Sequence, residues 1–197
     1  MGVRMIGRRL LLLLPLTLSL PGTVFGIETD RERLWSLLAQ PGHVALMRHA
    51  DAPGTGDPAS FRLEDCTTQR NLGERGRAQA RRLGEEFRRR GVPVALVLTS
   101  QWCRARETAE LMALGPVEDE PAALNSFFGR PGEREAATAA LRRRLSALPA
   151  GAPAVVMVTH QVNITALTDV LPAPGEIVVL KRDAQGGVAT VGRLPAP

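Results

Sequence analysis

The stretch His43-Val-Ala-Leu-Met-Arg48, with His49 and Ala50 directly after it, decides how the chain is read. Pro41-Gly42 punctuates its start, and residues 51–70, rich in Gly, Pro, Asp and Thr, come after its end. An apolar run this short, bounded on both sides by turn-forming residues, is a buried strand rather than a helix. Two further runs share its character. Pro93 to Thr99 leads into Ser100, and Ala154 to Thr159 leads into His160. Strands that are apolar throughout, without alternation, are covered on both faces.

Helical spacing fills the intervals. Glu28 to Gln40 carries Leu34, Leu37 and Leu38 on one side. Gly73 to Arg90 places Ala80, Leu83, Gly84 and Phe87 at i, i+3, i+4 and i+7, with arginine and glutamate on the other faces. That arginine run reads as a solvated helix face, not a binding patch. Cys103 to Ala113, Gly132 to Ala147 and Val162 to Val170 are three more helices. Glu176 to Lys181 and Val188 to Arg193 are two last strands around Gly186-Gly187. Strands alternating with helices predict an α/β fold: a three-layer sandwich whose mostly parallel central sheet carries helices on both faces. No linker interrupts the pattern, so residues 27–197 are expected to form one domain. Ligands in such sheets bind at the carboxyl ends of the strands. The segment 51–70 is a long loop, and long loops in compact domains are often functional.

The 197 residues are 44% hydrophobic and 23% charged, a globular composition. Neither a collagen-like nor a solenoid period is present. Of the 25 basic residues all but Lys181 are arginine, and there is no tyrosine. The arginine excess lifts the isoelectric point to about 10.7 while the net charge is only +5. A high isoelectric point of this origin argues little for nucleic acid as a partner. Arg4, Arg8 and Arg9 precede the apolar run Leu10 to Leu20, and Pro21, Gly22 and Val24-Phe25-Gly26 follow it, with Val24 and Gly26 as the small residues. That order reads as a secretory signal over residues 1–26, cleaved after Gly26. Its apolar run is too short to span a bilayer comfortably, so no membrane span is expected once it is removed. The competing reading keeps it as an anchor. Removing its three arginines leaves +2, which weakens the nucleic-acid reading further. The expected location is periplasmic or secreted. Cys66 and Cys103 are the two cysteines, and an even count in an oxidising compartment suggests one disulfide. Neither Cys-x-x-Cys nor a clustered Cys/His spacing is present, so no metal site is expected.

Each of the three strands ends in groups that suit phosphate chemistry. Arg48 and His49 end the first, Ser100 to Arg104 come after the second, and His160 after the third. Arginine offers a planar fork of donors matched to phosphoryl oxygens. A neutral imidazole is a competent nucleophile near neutral pH. A second imidazole can stabilise charge on the phosphoryl oxygens. The set reads as phosphoryl transfer through a phosphohistidine. The arginines supply the positive charge, so neither metal nor cofactor is expected. His43 lies six residues from His49 on one strand, roughly 20 Å away, and has no catalytic part. Neither cysteine has arginine at the sixth position after it, as a Cys-x5-Arg phosphatase loop requires. Neither a G-x-S-x-G elbow nor a P-loop is present.

These residues resemble the histidine phosphatase superfamily, which includes the cofactor-dependent phosphoglycerate mutases. Leu46-Met-Arg-His-Ala50 is similar to the family's strand ending in Arg-His-Gly, with Ala50 for the glycine. Leu72-Gly-Glu-Arg-Gly76 resembles its helix start. Ser100-Gln-Trp-Cys-Arg-Ala-Arg-Glu-Thr-Ala109 matches its Ser-x-x-x-Arg-Ala-x-x-Thr-Ala signature. Val155-Val-Met-Val-Thr-His160 resembles the strand before its second histidine. The resemblance spans residues 43 to 181 and implies a phosphoglycerate mutase-like fold. It also implies His49 as nucleophile, Arg48 and Arg104 as phosphoryl ligands, and His160 as their partner.

The family's proton donor is what the sequence lacks. One branch places aspartate directly after the second histidine, where Gln161 stands; the mutases place glutamate where Ser126 stands. Glu133, Glu135 and Asp51 are the candidates to replace it, Glu133 first. A missing acid favours good leaving groups such as phosphohistidine or acyl phosphate. An exported branch that acts on heptose phosphate of the lipopolysaccharide core is also similar, with a cysteine in the loop after the nucleophile. Cys66 lies in that loop and Cys103 adjoins Arg104, so a bond between them would pin the loop beside the pocket. The sequence is thus read as an exported phosphomonoesterase acting on a small phosphorylated substrate or a phosphorylated envelope component. The alternatives are a catalytically weak phosphate-ligand binding protein and, further off, a phosphomutase.

Overall fold

The computed structural model describes residues 1–2, 23–149, 151–183 and 185–197, with side chains described from residue 30 onward apart from the two gaps. The leader reading of residues 1–26 falls almost wholly outside them. A helix α1 (Thr23–Leu38) runs into β1 (His43–Arg48). After the long loop come α2 (Glu74–Arg89), β2 (Val94–Thr99) and α3 (Cys103–Met112). A short strand β3 (Val117–Asp119), a one-turn helix α4 (Pro121–Leu124) and α5 (Arg134–Ser146) are next. The chain ends with β4 (Ala154–Thr159), α6 (Gln161–Thr168), β5 (Ile177–Arg182) and β6 (Val188–Leu194). The six strands form one sheet in the order β3-β2-β4-β1-β5-β6. β1 to β4 pair in parallel, while β5 and β6 add an antiparallel edge.

The alternation of side chains along each strand divides the core into two layers. Ala45, Met47, Val97, Val156 and Val158 pack against Trp35 and Leu38 of α1, Leu83 and Phe87 of α2, and Met112 of α3. Val44, Leu46, Leu98, Val155 and Met157 pack against Leu124 of α4, Leu141 and Leu145 of α5, and Ile164 of α6. Helices on both faces of a mostly parallel sheet are the architecture that the apolar strands predict.

Gly84 is buried where α2 crosses the end of α3: a Cβ there would lie 1.9 Å from the Met112 carbonyl oxygen. Only glycine lets the helices approach so closely. Arg88 of α2 then donates to the Met112 and Ala113 carbonyls, at 2.8 and 3.2 Å, which α3 leaves without helical partners.

Three features differ from the sequence reading. α1 begins at Thr23 rather than Glu28 and runs through Gly26, a weak helix former. β3 and α4 lie in a stretch that carries no apolar period. β3 is a three-residue edge strand with two exposed acidic residues, Glu118 and Asp119, and the β2 backbone pairs with it regardless of side chain.

Candidate active site

The three strand ends meet at neighbouring points of the sheet. The His49 N–H donates to the Thr159 carbonyl at 2.9 Å, and the Ser100 N–H donates to the Val158 carbonyl at 3.0 Å. The first residues beyond β1, β2 and β4 are therefore fixed by backbone bonds that prolong the ladder. Arg48, His49, Arg104 and His160 all line one cavity of ≈ 160 Å³ there, joined by Arg70, Ser126, Phe128 and Gln161. The structure thus brings together the four residues that the sequence places in the site.

The His49 ring is 2% exposed. Its Nδ1 lies 2.7 Å from the Ala50 carbonyl oxygen, which only accepts, so Nδ1 carries the proton. Nε2 then holds the lone pair, and Arg104 Nε donates to it at 3.3 Å. Burial lowers the His49 pKa to about 3, and the Arg104 charge adds to it. The imidazole is neutral and nucleophilic throughout the ordinary pH range.

His160 is 4% exposed, and its ring centre lies 5.4 Å from that of His49. Its Nε2 is 2.8 Å from Ser100 Oγ. That hydroxyl accepts from the Trp102 N–H at 3.2 Å and also lies 3.3 Å from Asn125 Oδ1, so its one proton has two acceptors within reach, Asn125 and His160. Burial holds the His160 pKa well below the usual imidazole range, with His49 and Arg104 contributing.

Arg104 is 3% exposed and is held at both ends of its guanidinium: Nε on His49, and Nη1 on Asp57 Oδ1 at 2.8 Å. Burial pushes the Asp57 carboxyl up, but hydrogen bonds from Arg104, the Arg70 N–H and Trp102 outweigh it and leave the pKa below the usual range. Arg48 donates to the Pro172 carbonyl at 3.0 Å, while its buried Nε has no partner among the described residues. Arg70 donates to the Gly56 carbonyl at 2.8 Å and to Ala52. Burial lowers the pKa of all three arginines, which still keep their charge at neutral pH.

The first turn of α2 positions the backbone after the nucleophile. A Cβ on Gly76 would lie 2.0 Å from the Asp51 carbonyl oxygen, so the helix presses directly on that peptide. Gln79 accepts from the Asp51 N–H at 3.0 Å and donates to the Pro174 carbonyl at 3.1 Å. Thr108 of the signature accepts from the Ala50 N–H at 3.0 Å and donates to the Arg104 carbonyl at 2.7 Å. It therefore ties α3 to β1 across the site.

Cys66 and Cys103 form a disulfide that joins the long loop to the first residue of α3, beside Arg104. Glu133 is not brought to the cavity. It lies on the surface, paired with exposed Arg130 at 2.9 Å. Asp51 likewise turns to Arg75, at 3.3 Å. The cavity lining contains no carboxylate; Ser126 and Gln161 line it. Among the described residues no cluster of three His, Cys, Asp or Glu is arranged to hold a metal ion. No helix among them is long and apolar enough to cross a membrane.

Sequence reasoning missed Arg70, Asp57 and the part played by Ser100. Arg70 and Asp57 sit in an irregular loop where no period marks an inward side chain. Ser100 was visible as the first residue of the signature, though not its hydrogen bond to His160.

Residues 44–134 match the family model of the histidine phosphatase superfamily (branch 1). A search of curated proteins finds no match. Among solved structures, the chain is similar to the protein histidine phosphatase SixA complexed with tungstate, at 21% identity and TM-score 0.57, over 78% of this chain and 96% of that one. A SixA described as a putative phosphohistidine phosphatase, from Agrobacterium tumefaciens, matches at 18% identity and TM-score 0.55, over 78% and 97%. A mycobacterial glucosyl-3-phosphoglycerate phosphatase matches at 18% identity and TM-score 0.52, over 75% and 93%. These likenesses are likenesses of fold.

Proposed function

The chain belongs to the histidine phosphatase superfamily, and from that premise we propose an exported phosphatase that hydrolyses a phosphomonoester or a phosphohistidine through a phosphohistidine on His49, without a metal. The observation that carries this reading is the His49 tautomer: Nδ1 is committed to the Ala50 carbonyl, so Nε2 meets the arginine-lined cavity with a lone pair. A dianionic phosphoryl group entering beside Arg48, Arg70 and Arg104 takes the Arg104 N–H and frees that lone pair. Nε2 then attacks phosphorus as the bond to the leaving atom breaks, and the leaving atom departs with the electron pair. His160, which lines the same cavity, supports the charge on the phosphoryl oxygens. Water next attacks the phosphohistidine, its proton passes to solvent, and orthophosphate and neutral His49 are regenerated.

With no carboxylate in the lining, the leaving group receives little help from a protein acid. That favours leaving atoms that are stable once expelled, as in phosphohistidine, the substrate class that the name of the SixA neighbours carries. The same absence is what favours the second reading, a phosphate-ester binding protein of the envelope. The Cys66–Cys103 bond and the basic, apolar start of the sequence support a periplasmic or secreted location. A phosphorylated envelope component or a small phosphoester is then the partner.

The test is hydrolysis of p-nitrophenyl phosphate in EDTA, with acid-labile phosphate trapped on the protein during turnover. His49→Ala should lose both signals, with activity falling on the order of 10³-fold or more. Phosphate-ester affinity without turnover in the unaltered protein would give the binding reading the better claim.

A further inference from the structure

At ≈ 160 Å³ the cavity holds a phosphoryl group and little more. The rest of a phosphorylated molecule must lie outside it, and the structure provides a place. A second hollow of ≈ 290 Å³ adjoins the cavity and shares Gly56, Ser126 and Phe128 with it. Its further walls include Phe61, Trp102 and Arg130. The chain has only seven aromatic side chains of Phe and Trp type, and three of them gather here.

Their arrangement leaves aromatic surface free. Phe61 lies 5.7 Å from Trp102, tilted by 36°. The Arg130 guanidinium covers the Trp102 indole at 5.8 Å from its centre. The centre of the same indole lies 5.5 Å from that of the His160 ring, at 75° between planes, so the aromatic wall reaches the catalytic pocket. Phe128 is 58% exposed on the shared rim, the one large apolar side chain so placed at the site. An exposed phenyl ring at a mouth has nothing to gain from water, and a flat ring laid against it removes apolar area from both.

We propose that the hollow receives an aromatic leaving group, so that the preferred substrates are aryl phosphates whose ring lies between Phe128 and Phe61. The proposal rests on the cavity's binding a phosphoryl group. The phosphoryl cavity lacks a carboxylate, and the one in the wall of the hollow, Asp57, is kept ionised by Arg104, the Arg70 N–H and Trp102 and so has no proton to give. A phenolate is a far better leaving group than an alkoxide, so a ring-bearing substrate needs least from the acid that the cavity lacks. The recognition of the ring and the chemistry at phosphorus then select the same molecule.

Affinity for inert phosphonates tests this without any need for turnover. The full chain is titrated calorimetrically with methylphosphonate, cyclohexylphosphonate and phenylphosphonate. Phenylphosphonate should bind tighter than cyclohexylphosphonate by roughly threefold to tenfold, the range of an aromatic pair beyond its buried area. Phe128→Ala, an exposed position whose loss leaves the fold intact, should erase that preference. Phe61→Ala should act in the same direction. In Phe61→Ala, whose ring lines the hollow but not the phosphoryl cavity, the affinity for methylphosphonate should stay within about twofold. Equal affinity for the flat and the saturated ring, or a preference that survives both variants, would overturn the proposal. Binding of all three phosphonates with no hydrolysis of phenyl phosphate would instead overturn the phosphatase reading and leave the aromatic hollow standing. Failure of methylphosphonate itself to bind would remove both.

Discussion

The strand-borne half of the site and its loop-borne half are built in different ways. Arg48, His49, Ser100 and His160 leave the ends of three strands that are hydrogen-bonded to one another, with buried hydrophobic layers on either side. Arg70, Asp57, Phe61 and Phe128 come from irregular segments that owe their position to single links: a disulfide, an ion pair, a few backbone carbonyls. The first half holds the atoms that would react. The second surrounds them and meets the rest of a substrate. Arg104 spans the two, with one donor on His49 and another on Asp57.

The largest test of this contrast is therefore Arg104→Lys. A lysine keeps the charge but cannot hold both partners in one plane, and kcat/KM should fall by about 10²-fold or more. A fall confined to KM would place Arg104 with the loop half instead.

Cys66→Ser comes next. In the chain-entropy picture, losing a link between residues 37 apart costs about 3–4 kcal/mol, seen as a lower melting temperature. Only the loop half should loosen, so KM should rise while kcat changes much less.

Two glycines give a sharper pair. Alanine at Gly76 or Gly84 meets a carbonyl oxygen at 2.0 or 1.9 Å, and each should cost about 1–3 kcal/mol of stability. Gly76 presses on the peptide beside His49, so its variant should also lose kcat/KM. The Gly84 variant, whose contact is with the distant end of α3, should keep kcat/KM at temperatures where it is folded.

Acid tests the strand half. Protonation removes the nucleophile, and the His49 pKa is lowered to about 3. The acid limb of kcat/KM, corrected for substrate ionisation, should lie near pH 3 and not at the usual imidazole value. Stability runs the other way. His49 and His160 each gain a proton on unfolding in acid, so stability should fall as pH drops from about 6.5 toward 3. His49→Gln should flatten that slope.

The smallest effect belongs to Glu133→Gln. The side chain lies outside the cavity and pairs with Arg130 on the surface, so activity should stay within about twofold. A large loss would show that the loop half closes over the site and delivers an acid.

The same contrast explains what the sequence could reveal. β1 and β4 were legible to the residue because a covered strand must be apolar, and turn residues mark its ends. The groups at their ends were legible through their position in that pattern. Arg70 is one of 24 arginines, and nothing in its neighbours distinguishes it from the solvated arginines of α2. Asp57 stands in a run of Gly, Pro and Asp that has no period from which inward and outward could be told. Glu133 stands out only by its place after Ser126, and α5 begins too late to carry it inward. β3 arises from the hydrogen-bonding needs of β2, which no side chain of Val117–Asp119 advertises.

The alternation along β1 also sets a limit on how the gene can drift. Val44 and Leu46 face one layer and Ala45 and Met47 the other. Inserting or deleting one codon within His43–Arg48 would turn each later side chain of the strand to the opposite layer and move Arg48 and His49 one position out of register. The loop after Ala50 has no such parity, and its length can vary without inverting anything. Relatives descended from this chain should therefore differ by gaps in the rim and by replacements alone in the strands, trading one set of substrates for another around an unaltered reaction.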